Sequence, residues 1–180
     1  MAINMKQVRQ QDVIPELCKQ LGYRNALMVP RIKKVVINTG VGRLGEKEKE
    51  TIAAELALIA GQKLAPAPAH KPIASFKIRK GETIGFRATL RGRRREDFLR
   101  RMVQAAIPRM RDFRGIRTSA VDEYGNLNLG FRDHTVFPEM IGRDTRMIFG
   151  LQVTVVTSAR SREEALTLFR LLGFPFRKES

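Results

Sequence analysis

Residues Leu151–Thr157 read LQVTVVT. Leu151, Val153 and Val155 alternate with Gln152 and Thr154, the period-two pattern of a strand with one face in a core. Two other stretches share this character. Ile32–Asn38 (IKKVVIN) is short and β-branched after the break at Pro30, and Ile84–Leu90 (IGFRATL) alternates. LNLGF, after a turn at Tyr124-Gly125-Asn126, and HTVF beyond it are also strand-like.

Helical periodicity lies between these strands. Ile14, Leu17, Cys18 and Leu21 fall at helical spacing before Gly22, with Pro15 interrupting or restarting the helix. Glu46–Ala60 puts Ile52, Leu56 and Ile59 on one face and closes at Gly61. Asp97–Ala106 turns Phe98, Met102 and Val103 inward, with Arg100 and Arg101 outward. Ser161–Leu172 opens with a capping box, Ser161 with Glu164, and stops at Gly173. LAPAPAHKPIAS, with its three spaced prolines, predicts an extended, exposed loop. Strands outside any βαβ rhythm predict an α+β fold: a mainly antiparallel sheet, helices packed on one face, and basic loops projecting from it. No linker or repeat divides the chain, so residues 1–180 predict a single domain.

Charge narrows the partner. The 180 residues carry 34 Lys+Arg against 18 Asp+Glu, a net charge of +16. Between Ala67 and Arg117 fifteen basic residues meet four acids. A surface tuned for solubility alone would mix the signs, so nucleic acid is the expected partner. The 43% hydrophobic content is enough for a core, and no apolar run approaches the roughly 20 residues that cross a bilayer. The first residues, MAINMKQVRQQ, lack the apolar region of a secretory signal. A single cysteine, Cys18, on an apolar helix face, predicts a structural thiol in a reducing compartment. The cytoplasm is the expected location.

Gly40-Val41-Gly42-Arg43-Leu44-Gly45 matches G-x-G-x-x-G between a strand and a helix, the setting of a dinucleotide site. After the helix no acid follows before Glu82 to hold ribose hydroxyls, and the third glycine precedes the helix. A turn that reverses the chain or lets backbone approach RNA explains the motif better. His70 and His134 are far apart with no metal-spaced partner, and the carboxylates lie mainly on helix surfaces. No cofactor, metal or catalytic step is expected. A nucleotide-dependent enzyme acting on RNA through GVGRLG is the alternative, and a free-standing basic RNA chaperone a third reading.

The basic residues cluster. Lys77, Arg79, Lys80, Arg87 and Arg91 surround Gly81 on a hairpin-like excursion, interleaved with Phe76 and Phe86. Either phenylalanine could stack on a base or point into the core. Arg93, Arg94 and Arg95 begin a helix, where cations oppose the dipole, which predicts an external role for them. Arg109, Arg111 and Arg114 form a second basic loop, in which Asp112 could pair with Arg111 or Arg114.

VPRIKKVVINTGVG, ELALIAGQK, SFKIRKG, IPRMRDFRGI, GNLNLG, VFPE and LLGFPFRK follow in this order along nearly the whole chain. Together they resemble the bacterial-type large-subunit ribosomal protein of the L-five (uL-five) family. The resemblance implies a structural constituent of the large subunit that anchors 5S rRNA in the central protuberance. By the family's pattern Asn38, Gln62 and Thr89 hold 5S rRNA, joined here by Arg87 and Arg91. Uncharged polar groups suit an enclosed contact, where an unpaired charge would be costly. The loop ending in FKIRKG, roughly Ala65–Gly81, is implied to reach P-site tRNA, with Lys71, Lys77, Arg79 and Lys80 as phosphate contacts. This chain has His70-Lys71-Pro72 where the family usually carries two basic residues and a serine. Arg109, Arg111 and Arg114, with Phe137–Arg146, correspond to segments that face small-subunit protein S-thirteen across an intersubunit bridge. MIGRDTRMIFG departs there from the usual acidic, tyrosine-containing sequence. 23S rRNA and neighbouring large-subunit proteins complete the implied partners. The implied location is a cytoplasmic ribosome, with an organellar one left open.

Overall fold

The structure is a computed structural model that describes residues 13–76, 78–143 and 147–177. Helix α1 (Ile14–Leu21) starts with proline in its first turn, where the missing N–H costs nothing, and ends at Gly22 in the left-handed conformation. Pro15 thus begins this helix. Strand β1 (Ile32–Gly40) leads through the glycine turn into α2 (Glu46–Ala60), then to β2 (Ala65–Pro68) and β3 (Thr83–Leu90). Helix α3 (Gly92–Arg101) runs on through a π-helical turn (Met102–Ala106) and a last α-turn (Ile107–Arg109). Strands β4 (Leu127–Phe131) and β5 (Leu151–Thr157) precede α4 (Arg162–Leu171).

The five strands form one antiparallel sheet in the order β2-β3-β1-β5-β4. Val35, Ile37, Ala88, Leu90, Leu151, Val153 and Val155 are buried on one face, in a core shared with Ile52, Leu56 and Ile59 of α2, Phe98 of α3 and Leu168 and Phe169 of α4. Among the described residues the helices therefore cover one face of an α+β fold and leave the other open.

The structure corrects four expectations. APAP is a strand, because a proline strand can form at a sheet edge where the missing N–H faces solvent, and β2 is the outermost strand. HTVF is a 3₁₀ turn (His134–Val136), nucleated by Asp133, whose carboxylate accepts the Thr135 N–H at 2.7 Å. The third helix begins at Gly92, five residues before Asp97, and so has Arg93, Arg94 and Arg95 at its start as expected. At α4 the Ser161 hydroxyl accepts the Glu164 N–H, but the Glu164 carboxylate turns to the Arg160 N–H at 2.9 Å and the Tyr23 hydroxyl at 2.6 Å. That hydroxyl fastens the segment just after α1 to α4, and the carboxylate beside it, with burial, pushes the Tyr23 pKa up.

His134 is fully buried and stacks on Phe149 with ring centroids 3.9 Å apart. Its Nδ1 accepts the Phe149 N–H at 3.4 Å, which leaves the proton on Nε2, 3.1 Å from Glu55 of α2 though off the line of a well-aligned hydrogen bond. That ring ties the two ends of the segment before β5, His134 and Phe149, to each other.

Candidate nucleic-acid interface

Alternation along β1 sends Asn38 to the open face and Ile37 and Thr39 to the core. The Thr39 hydroxyl donates to the Gly150 carbonyl at 2.7 Å and fixes that end of β1 against the start of β5. The register places Asn38 between Arg87 of β3 and Gln152 of β5. One row along, Thr89 lies opposite Val36. Asn38 and Arg87 are exposed and Thr89 is half-buried.

Gln62 reaches the same place from just past the end of α2. Its amide Nε2 donates to the Thr89 carbonyl at 3.3 Å, and its Oε1 accepts from Arg94 at 3.5 Å. Three residues far apart in sequence thus converge with Arg87 on one polar patch. Arg91, exposed at the start of α3, lies at the end of β3. The electrostatics of the patch are one-sided. None of the five strands contains an Asp or Glu, and their only charges are Lys33, Lys34 and Arg87. A polyanion laid along the strands meets no strand carboxylate.

The excursion between β2 and β3 starts from the other end of β3. Its base continues the ladder: the Ala69 N–H donates to the Glu82 carbonyl at 2.8 Å, and the Gly81 N–H to the Ala69 carbonyl at 2.9 Å. The Glu82 carboxylate accepts the Arg79 N–H at 3.1 Å and pairs with Lys49 at 3.4 Å. Lys49 is only 4% exposed and also reaches Glu46 at 3.3 Å. The Arg79 N–H first, and Lys49 second, hold the Glu82 pKa below the usual carboxylate value. Above this base Lys71, Arg79 and Lys80 are exposed, while Lys77 lies outside the described residues. Phe76 is 56% exposed near the tip, whereas Phe86 packs against the core. Of the two aromatic residues only Phe76 is free to stack.

The third group stands apart. Arg109 closes the long helical run, and Arg111 and Arg114 are exposed beyond it. No ion pair among the described residues holds these three, and Asp112, with φ +57°, pairs with neither arginine beside it. The loop is secured after Gly115 by the C-terminal segment: the Ile116 N–H donates to the Pro175 carbonyl and the Arg177 N–H to the Ile116 carbonyl, both at 2.8 Å.

Two other arginines serve the fold. Arg95, with a side chain 13% exposed, donates to the Ile32 carbonyl and to Glu96. Arg101, expected to point outward, donates to the Ile59 carbonyl at 3.1 Å and lies 2.8 Å from Glu139. Arg93 remains exposed, with Asp97 4.0 Å away.

The glycine motif is used internally. The Val41 N–H donates to the Ile84 carbonyl at 2.8 Å, and the Gly45 N–H to the Glu48 carboxylate at 2.9 Å. Glu46 and Glu48 occupy the first turn of α2, where a pyrophosphate would sit, and would repel it. Among the described residues no group of three His, Cys, Asp or Glu could hold a metal ion.

Two family models match the chain, Ribosomal protein L5 over residues 25–79 and the C-terminus of the same ribosomal family over residues 83–176. The chain belongs to the ribosomal protein L5 family. The large ribosomal subunit protein uL5 of Thermus aquaticus is 46% identical over 178 residues, covering 98% of each chain. That of Fervidobacterium nodosum is 44% identical over 180 residues, covering 98% of this chain and 97% of its own. As an L5 protein the chain is a large-subunit ribosomal protein with rRNA and ribosomal proteins as partners, and its family is structural, not enzymatic. The nucleotide-dependent enzyme is thereby set aside. The two matched segments meet within the excursion, yet both supply strands to the single L5 sheet. Among the described residues no helix is long and apolar enough to cross a membrane.

Proposed function

We propose that this L5 protein anchors 5S rRNA in the central protuberance, with Asn38, Gln62 and Thr89 setting register and Arg87 and Arg91 supplying phosphate attraction. The observation that carries the reading is the meeting of these polar groups on an open sheet face whose strands hold no carboxylate. Cations gather the RNA from a distance, and their attraction falls steeply with salt. Neutral amides and hydroxyls cost less to enclose than charges and reject a misplaced partner by leaving it unpaired. Residues 1–180 act as a single RNA-binding domain in this reading.

The excursion carrying Lys71, Lys77, Arg79 and Lys80 touches P-site tRNA in the same proposal, its base stiffened by Glu82 and Lys49. Arg109, Arg111 and Arg114 face small-subunit protein S-thirteen across a bridge, and 23S rRNA and neighbouring large-subunit proteins complete the contacts. The site of action is the cytoplasmic ribosome, as for the bacterial relatives. The test is filter binding to 5S rRNA and to a size-matched unrelated RNA across a salt series. Binding that survives physiological salt only for 5S rRNA is expected; equal, salt-labile binding to both would overturn the proposal.

A further inference from the structure

The buried side of the sheet holds a titratable group that the RNA site does not use. His134 is fully buried, whereas His70, the other of the chain's two histidines, is exposed on the excursion. The His134 Nδ1 accepts the Phe149 N–H at 3.4 Å. The next residue, Gly150, offers its carbonyl to the Thr39 hydroxyl at 2.7 Å. Thr39 is buried and directly follows Asn38 on β1. A short run of bonds thus leads from the imidazole, through the two residues that enter β5, to the strand position that turns Asn38 outward.

The charges around the ring suit a second state. Glu55 of α2 lies 3.1 Å from Nε2, and Asp133 lies 4.0 Å from Nδ1. One turn along α2, Arg101 of α3 caps the Ile59 carbonyl and pairs with Glu139. Arg132 is exposed. Histidine is the side chain that ordinarily gains or loses its proton between about pH 5 and 8. A proton added at Nδ1 turns the acceptor of the Phe149 N–H into a donor, and that bond is lost. The new N–H can turn to the Asp133 carboxylate while Nε2 still faces Glu55, and the stack on Phe149 becomes a cation–π contact. The charged ring is held in place while the backbone entering β5 is released.

We propose that His134 is a proton-sensitive positioning residue for Asn38. Neutral, it holds Phe149 and Gly150 and through them Thr39; charged, it lets them go and weakens the 5S rRNA contact. The proposal rests on the reading of Asn38 as an rRNA contact, and the test keeps the two apart.

In the free protein, nuclear magnetic resonance follows the His134 ring nitrogens and the protection of the Phe149 amide, its exchange relative to an unstructured amide, from about pH 8 to 5. As the ring takes up its proton, that protection should fall about 2- to 12-fold, the range of one hydrogen bond. Binding to 5S rRNA is measured over the same range at constant salt for the parent, Asn38→Ala and His134→Asn. The asparagine oxygen can replace Nδ1 as acceptor but takes no proton. Relative to His134→Asn, the parent should lose affinity on acidification by up to the same factor; the comparison cancels what His70 contributes. A ring that takes up no proton in this range, or takes one without loss of Phe149 protection, overturns the proposal and needs no variant to show it. If protection falls but the parent and His134→Asn share one pH profile of binding, the link to Asn38 is wrong. If Asn38→Ala binds like the parent at pH values where His134 is neutral, the rRNA reading itself falls, whatever the ring does.

Discussion

Gly115→Ala should destabilise the protein sharply, and the structure supplies the size of the effect. Gly115 has φ +101°, and a Cβ there would lie 2.8 Å from the Arg177 nitrogen and 2.9 Å from its Cα. Both obstacles are backbone, so the C-terminal segment itself must move. That movement breaks the two 2.8 Å hydrogen bonds joining Ile116 to Pro175 and Arg177, at about 0.5–1.5 kcal/mol each. The unfavourable φ adds about 1–3 kcal/mol. The expected loss is about 2–6 kcal/mol, which for a chain of this size lowers the melting temperature by roughly 4–24 °C. Gly130→Ala is the control. With open space and no positive φ, it should be neutral or gain about 0.5–1 kcal/mol. Thermal unfolding followed by circular dichroism reads both variants. A Gly115→Ala midpoint within about 2 °C of the parent, or an equal drop in the control, would refute the argument that the C-terminal backbone occupies that space.

Further outcomes are expected from the same geometry. Asn38→Ala and Thr89→Ala should each weaken 5S rRNA binding by about 1–3 kcal/mol, while Arg79→Ala leaves it almost unchanged and weakens tRNA contact; equal losses from all three would end that division of roles. His134→Phe keeps a ring against Phe149 but strands the Phe149 N–H, so the urea midpoint should fall by about 1–3 kcal/mol of stability with an unchanged slope. The lowered pKa of Glu82 stabilises the fold at pH values above its unfolded value near 4.5, and that contribution disappears as pH falls through the lower folded value. The protection of the Arg79 amide, its exchange rate relative to that of an unstructured amide at the same pH, should therefore hold down to pH 4.5 and fall only below it; a fall in protection at higher pH would show that Glu82 does not hold the base of the excursion.

What the sequence revealed follows from how local each cause is. Helix α2 was legible because its apolar spacing and closing Gly61 are local signals. APAP was not, because the edge position that makes prolines tolerable in a strand is a property of sheet order. Counting charge picked out the arginines but could not sort them: Arg87 lies on the open face, while Arg95 and Arg101 cap carbonyls of distant segments. Asn38, Gln62 and Thr89 carry no charge signal, and only the family resemblance singled them out. Their convergence depends on register and on one amide-to-carbonyl bond between α2 and β3. The absence of acids from every strand was readable from the start, as a pattern across elements rather than within one.

The strand order has a consequence for biosynthesis. β1 stands at the centre of the sheet, and its second neighbour, β5, arrives late: Arg31 is bonded to Ser158, 127 residues further along. At about 5–20 residues per second, roughly 6–25 s of translation separate the two. During that interval Asn38 can have Arg87 beside it but not Gln152, and one edge of β1 has no pairing partner. The sheet face is thus complete only after nearly the whole chain has been made, and until then the growing chain carries one unpaired edge of its central strand.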